Sequence, residues 1–133
     1  MSPVSARKIL VCFLLLVSFC TCRKPKSSTF QSEAQWLQAV WTGVAELKNI
    51  DRPLRMASGM QETWSYQFSG GRDVAMNLFR SHTPAGYNLV RQTDSELWFS
   101  RFDGHDSYSV ALAFENLTGQ TTRVSVVLKS FPD

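Results

Sequence analysis

No cysteine follows position 22 in this sequence. The three present, Cys12, Cys20 and Cys22, all lie in or beside the leader. The remainder can therefore form no internal disulfide, offer no thiolate nucleophile and build no thiolate metal cluster. Histidine is nearly as scarce. His82 and His105 are the only two, and neither has a metal-ligand partner at useful spacing. No apolar run is long enough to cross a bilayer comfortably as a helix. Phosphate-loop signatures are missing too: Gly70-Gly71 belongs to neither a GxGxxG nor a GxxxxGK followed by Ser or Thr. A tight strand-to-helix turn accounts for that pair. A basic excess is also lacking where it would matter. Of fourteen Lys and Arg, Arg7, Lys8, Arg23, Lys24 and Lys26 precede the domain, which leaves nine against eleven Asp and Glu. Nucleic acid is thus not an expected partner, although Trp98, Phe99, Arg101 and Phe102 interleave rings and charge as a base-stacking surface does.

The leader is distinctive. Arg7 and Lys8 precede an apolar run over residues 9–19 that has no polar face and opens directly into RKPKSSTFQS. A basic start followed by a short apolar run is the build of an export signal, here residues 1–22. A buried N-terminal helix would need an apolar and a polar side, which this run does not have. Cys20 and Cys22 come just after LLLVSF, and in this the segment resembles a bacterial lipoprotein signal. Val17 and Ser18 fit the positions ahead of Cys20, while Phe19 is bulkier than the small residue of that pattern. Thr21 suits the position before Cys22, and Phe19 and Cys20 ahead of it depart. The resemblance implies lipid attachment at Cys20 or Cys22. Several acyl chains on one cysteine anchor far more firmly than a single myristoyl group. Cleavage before Thr21 or Arg23, giving a secreted protein, and a retained anchor are the alternatives. Residues 23–31 read as a polar spacer. Arg23, Lys24 and Lys26 would gain about 1 kcal/mol each beside anionic lipid, and a solvated linker explains them equally well.

Residues 32–133 have room for one domain with a modest core. Four Trp and nine Phe argue against disorder. A helix is expected over residues 33–48. Ser32 and Gln35 are spaced as a capping box. Trp36, Val40, Val44 and Leu47 fall on one side, with Leu37 and Trp41 widening the stripe. Gly43 weakens its interior by roughly 1 kcal/mol and would permit close approach to a sheet. Residues 49–59 read as a loop punctuated by Pro53 and Gly59. Trp64, Tyr66 and Phe68 alternate with polar residues over 61–68, the period of a strand with one covered face. A second helix is expected over 73–81, ended by Pro84 and Gly86. Residues 87–92 read as a strand, separate from or continuous with the next. A three-strand meander then follows over 96–102, 106–115 and 121–129, set by Tyr108, Val110, Leu112 and Phe114 and by Val124, Val126 and Leu128. The expected fold is an α+β two-layer sandwich: an antiparallel sheet of four to five strands with two helices on one face.

The residues bearing chemistry do not converge. His105-Asp106 needs a nucleophile such as Ser107, and nothing in the sequence marks that serine as activated. Asp94, Glu96, Asp103 and Asp106 cluster in turns without the spacing of a calcium loop. Asn116-Leu117-Thr118 is a formal glycan acceptor, and turn formation is enough to explain Asn116. No catalytic residue, metal or cofactor is therefore assigned, and a non-catalytic role is expected. The strand over 96–102 departs from one-sided patterning. Trp98 and Phe102 share one side, Leu97 and Phe99 the other, so either a central strand or a second surface for a partner is expected there. Trp36 and Trp41 are further candidates for that surface, although core packing is the stronger expectation for both. The functional expectation is a lipid-anchored binding or structural domain at the periplasmic face of a bacterial membrane or on the cell surface. Its partner would be an envelope protein or a second copy of itself. The alternatives are a carrier holding a small apolar ligand between helices and sheet, and a small hydrolase with an unrecognised site.

Overall fold

The computed structural model describes residues 29–118 and 120–132. The chain runs α1 (Phe30–Thr42), β1 (Glu46–Ile50), β2 (Leu54–Met56), β3 (Gly59–Ser69), α2 (Arg72–Ser81), β4 (Asn88–Gln92), β5 (Glu96–Phe102), β6 (Asp106–Thr118) and β7 (Thr121–Pro132). The α+β class with two helices on a sheet is as expected. The strand count is not: among the described residues the sheet has seven strands, in the order β1-β3-β7-β6-β5-β4, with β2 also on β3. All the pairings are antiparallel.

The extra strands come from residues 46–56. β1 pairs with the far end of β3, Glu46 opposite Gln67, and β2 with its near end, Met56 opposite Gly59. The two are one edge strand interrupted at residues 51–53, where the Asp51 amide still donates to the Thr63 carbonyl at 2.9 Å. The expected loop is thus mostly one arm of a long hairpin that turns at residues 57 and 58. An edge strand satisfies half its backbone groups on its neighbour whatever its side chains. Residues 46, 48–50 and 54–56 are exposed, so no alternation betrays them. The same pairing shortens the first helix. Glu46, Leu47 and Lys48 are drawn into β1, and α1 ends at Thr42 with Gly43 as its cap. Gly43 faces open space, with nothing within 4 Å of a Cβ built there, so it permits no close approach. At the other end Thr29, not Ser32, is the cap, its hydroxyl accepting from the Ser32 amide at 3.2 Å.

α2 carries the chain from β3 to β4 at the far edge, and β4 to β7 then meander back until β7 lies beside β3. Residues 87–92 and 96–102 do not form one bent strand. They are a hairpin, closed by the Thr93 amide on the Glu96 carbonyl at 3.0 Å. Gly70 makes the turn into α2 feasible. Its φ is +147° and a Cβ there would lie 2.6 Å from the Phe68 ring. Its amide donates to the Gln120 carbonyl at 2.7 Å.

Both helices pack on one face, because their aromatic residues meet over the same strands. Trp41 of α1 stacks on Phe79 of α2 at 5.8 Å and reaches Phe99 of β5 at 6.2 Å. Phe79 meets Tyr66 of β3 and Phe114 of β6 edge-on at 5.7 and 5.5 Å. The sheet contributes rows such as Leu97, Leu112, Val126 and Trp64, opposite one another on β5, β6, β7 and β3, all buried. The helical stripe is centred further round than the sequence implies, on Ala34, Leu37 and Trp41.

Candidate functional site: the open face of the sheet

The alternate residues of these strands point away from the helices. Across β5, β6, β7 and β3 they form the rows Glu96, Ala113, Ser125, Ser65, then Trp98, Ala111, Val127, Thr63, then Ser100, Ser109, Lys129, Gln61. A final short row holds Phe102, Ser107 and Phe131. Small side chains occupy the middle of this face and aromatic ones its margins. The result is a groove of about 410 Å³, floored by Ala111, Ala113 and Val127 and flanked by Trp98 and Phe131. Such a volume falls within the range of small-molecule sites.

The Trp98 ring is held in place from two sides. Its indole N–H donates to the Glu96 carboxylate at 3.1 Å, and the Arg91 guanidinium of β4 lies 5.7 Å from its ring centre. A cation over an indole face contributes about 0.5–1 kcal/mol at an exposed site. The two-sided character of β5 is thereby resolved. Leu97 and Phe99 are fully buried under the helices, while Trp98 and Phe102 belong to the open face, Phe102 at 59% exposure.

The structure does not bring the other two candidate tryptophans, Trp36 and Trp41, to this face. Trp41 is fully buried and its N–H donates to the Phe79 carbonyl at 3.2 Å. Trp36 is half-buried on the helix side, 6.2 Å from Tyr87. Cys20 and Cys22 lie outside the described residues. The aromatic surplus that motivates an apolar carrier is largely engaged in ring-to-ring packing between helices and sheet, and the groove opens on the opposite side.

Two polar clusters sit under the helices. In the first, Arg101 of β5 grips the fully buried Glu33 of α1 through Nη2 at 2.7 Å and Nε at 3.1 Å. The Tyr87 hydroxyl donates to the same carboxylate at 2.6 Å. The guanidinium lies 5.7 Å from the Tyr87 ring centre and 5.1 Å from that of Tyr108. Burial opposes the charge on Arg101, but Glu33 more than offsets it and the pKa is raised. Burial, helped by the Glu33 charge, pushes the Tyr87 phenol well above its usual range. Gly86, with φ at +85°, keeps the wall beside Arg101 thin, since a Cβ there would stand 3.1 Å from Arg101 Cδ. In the second cluster Gln38 Nε2 donates to Glu62 at 2.8 Å. The Gln38 carbonyl accepts from the Tyr66 hydroxyl at 2.8 Å, and that hydroxyl accepts from the Trp64 indole at 3.1 Å. Both clusters join α1 to the sheet.

The histidines stand apart. His82 caps α2, its Nδ1 2.8 Å from the Leu78 carbonyl. His105 is in the β5–β6 turn, where its amide and that of Asp106 donate to the Asp103 carboxylate at 2.9 and 2.8 Å. Those two bonds hold the Asp103 pKa below its usual value. Asn116 Oδ1 accepts from the Arg72 amide and the Thr122 hydroxyl at 3.1 and 3.2 Å, tying β6 and β7 to α2. Among the described residues no group of three or more His, Cys, Asp or Glu could hold a metal ion, and no helix is long and apolar enough to cross a membrane.

The residues missed in sequence are the small ones that line the groove: Ser109, Ala111, Ala113 and Ser125. Their signal is the complement of the core alternation, since the positions between Tyr108, Val110, Leu112 and Phe114 are all small. Compared with known protein families, with curated proteins and with solved structures, the chain matches none.

Proposed function

We propose that this chain is a non-catalytic binding domain of a bacterial envelope, exported by residues 1–22 and held at the periplasmic face of a membrane through a lipid on Cys20 or Cys22. Its binding surface is the open face of the sheet. The observation that carries this reading is the Trp98-walled groove, which lies on the side of the sheet that the helices leave uncovered. A sheet face meeting only water gains little from alanine, which is depleted in strands. Ala111 and Ala113 make sense where another molecule must approach the backbone closely. The tether is consistent with that use. Six residues separate Cys22 from the Thr29 cap, a reach of at most about 25 Å, so the domain would stand close to the headgroups.

Mass spectrometry of the chain expressed in a bacterial host tests the tether. The expected product begins at Cys20 or Cys22 and carries acyl chains. An unmodified chain beginning at Met1 and recovered from the cytoplasm overturns it.

A further inference from the structure

The groove has charged residues of opposite sign at its two ends. Glu96 stands at one, its carboxylate engaged by the Trp98 indole. Lys129 stands towards the other, one row before Phe131, and its ammonium makes no hydrogen bond or ion pair among the described residues. Strand rise and spacing put the two Cα atoms about 17 Å apart. Other cations of this side are occupied: Arg123 pairs with Glu115 at 3.3 Å, and Arg91 lies over the Trp98 ring. Between the two ends the lining is mainly apolar.

We infer that the groove binds an amphipathic anion, a molecule with a flat or elongated apolar body and a single carboxylate or sulfonate head. The body lies over Ala111 and Val127 against the Trp98 ring. The head meets Lys129, where a charge-assisted hydrogen bond is stronger than a neutral one. Glu96 repels the head from the opposite end, so the pair of charges sets the orientation as well as the sign. This inference rests on the reading of the open face as the binding surface.

The test is fluorescence quenching of the full chain by 11-bromoundecanoate, kept below its micellar range, with the matching brominated alkylammonium as the control. Bromine quenches an indole on contact. The expected result is saturable quenching by the acid that is lost in Trp98→Phe and at least tenfold weaker in Lys129→Glu and in Ala111→Arg. The alkylammonium should bind weakly to the native chain and more tightly to Lys129→Glu. Circular dichroism on each variant confirms that it is folded. Quenching by the acid that survives Trp98→Phe overturns the site. If the alkylammonium binds as well as the acid, Lys129→Glu changes neither, and Ala111→Arg blocks both, the anion assignment falls while the open face stands as a binding surface. Absence of saturable quenching by either amphiphile overturns both the ligand class and the groove as a small-molecule site.

Discussion

On β6, Tyr108, Val110, Leu112 and Phe114 face the helices, and Ser107, Ser109, Ala111 and Ala113 face away. The same backbone carries both sets. The helix side is filled to contact, with ring centres 5.5–6.2 Å apart around Trp41 and Phe79. The open side has its aromatic residues at the margins and leaves about 410 Å³ between them. Large residues therefore consolidate one layer, while small ones on the other keep volume available. Close packing on one side and open volume on the other are separated by a shift of one residue along each strand.

The sharpest way to break this comparison is to truncate one residue on each side. Phe79→Ala should cost about 3–5 kcal/mol of folding stability, because a fully buried ring in contact with three others leaves a cavity. Val127→Ala, half-buried on the open face, should cost under about 1 kcal/mol. Urea denaturation of both reads the difference directly, and equal losses would mean that the open face is as structural as the core.

The next effect concerns the polar contacts beneath the helices. Arg101→Met leaves Glu33 buried without its bidentate partner and should cost about 3 kcal/mol. Pairing it with Glu33→Leu should recover only part of that loss, since the two apolar residues need no partner but the buried Tyr87 hydroxyl loses its acceptor. A double-mutant cycle measures the coupling, and a simple sum of the single effects would show that the pair does not act as a unit.

The smallest effect is a slope with pH. Burial raises the Glu62 pKa above its ordinary 4.5, although the Gln38 hydrogen bond partly opposes it. The native state then binds more protons than the unfolded state between the unfolded and folded pKa values. Stability contributed by this group is fullest below pH 4.5 and falls as pH rises through that window. Glu62→Gln keeps the acceptor for Gln38 and removes the titration. Its stability relative to the native sequence should therefore improve from acid to neutral pH in thermal melts, and an unchanged difference would place the Glu62 carboxylate in contact with water.

Much of the second half of the fold was legible, because its strands are buried on one face and a period of two records that burial. Residues 96–102 match β5 at both ends, and β6 and β7 begin where expected. The first half was less legible for two physical reasons. Residues 46–56 are an edge, where backbone pairing proceeds without a side-chain pattern. Leu47 also satisfied a helical stripe and a strand equally well, and tertiary pairing with Tyr66 decided between them. For the candidate site, Trp98 and Phe102 were visible as the odd side of β5, while Trp36 and Trp41 were not separable from them by residue type. The floor was missed because an apolar pattern draws the eye to large residues, and a groove is made by small ones.

Arg101 and Glu33 also have a mechanical meaning. Any tension carried along residues 1–28 enters the fold at Thr29, and Glu33 is the fourth residue of the helix it meets. A pull from that side loads the grip of the Arg101 guanidinium on the Glu33 carboxylate before it reaches the stacked rings of Trp41 and Phe79. The ion pair thus ties the first turn of α1 to β5, ahead of the aromatic packing along the chain.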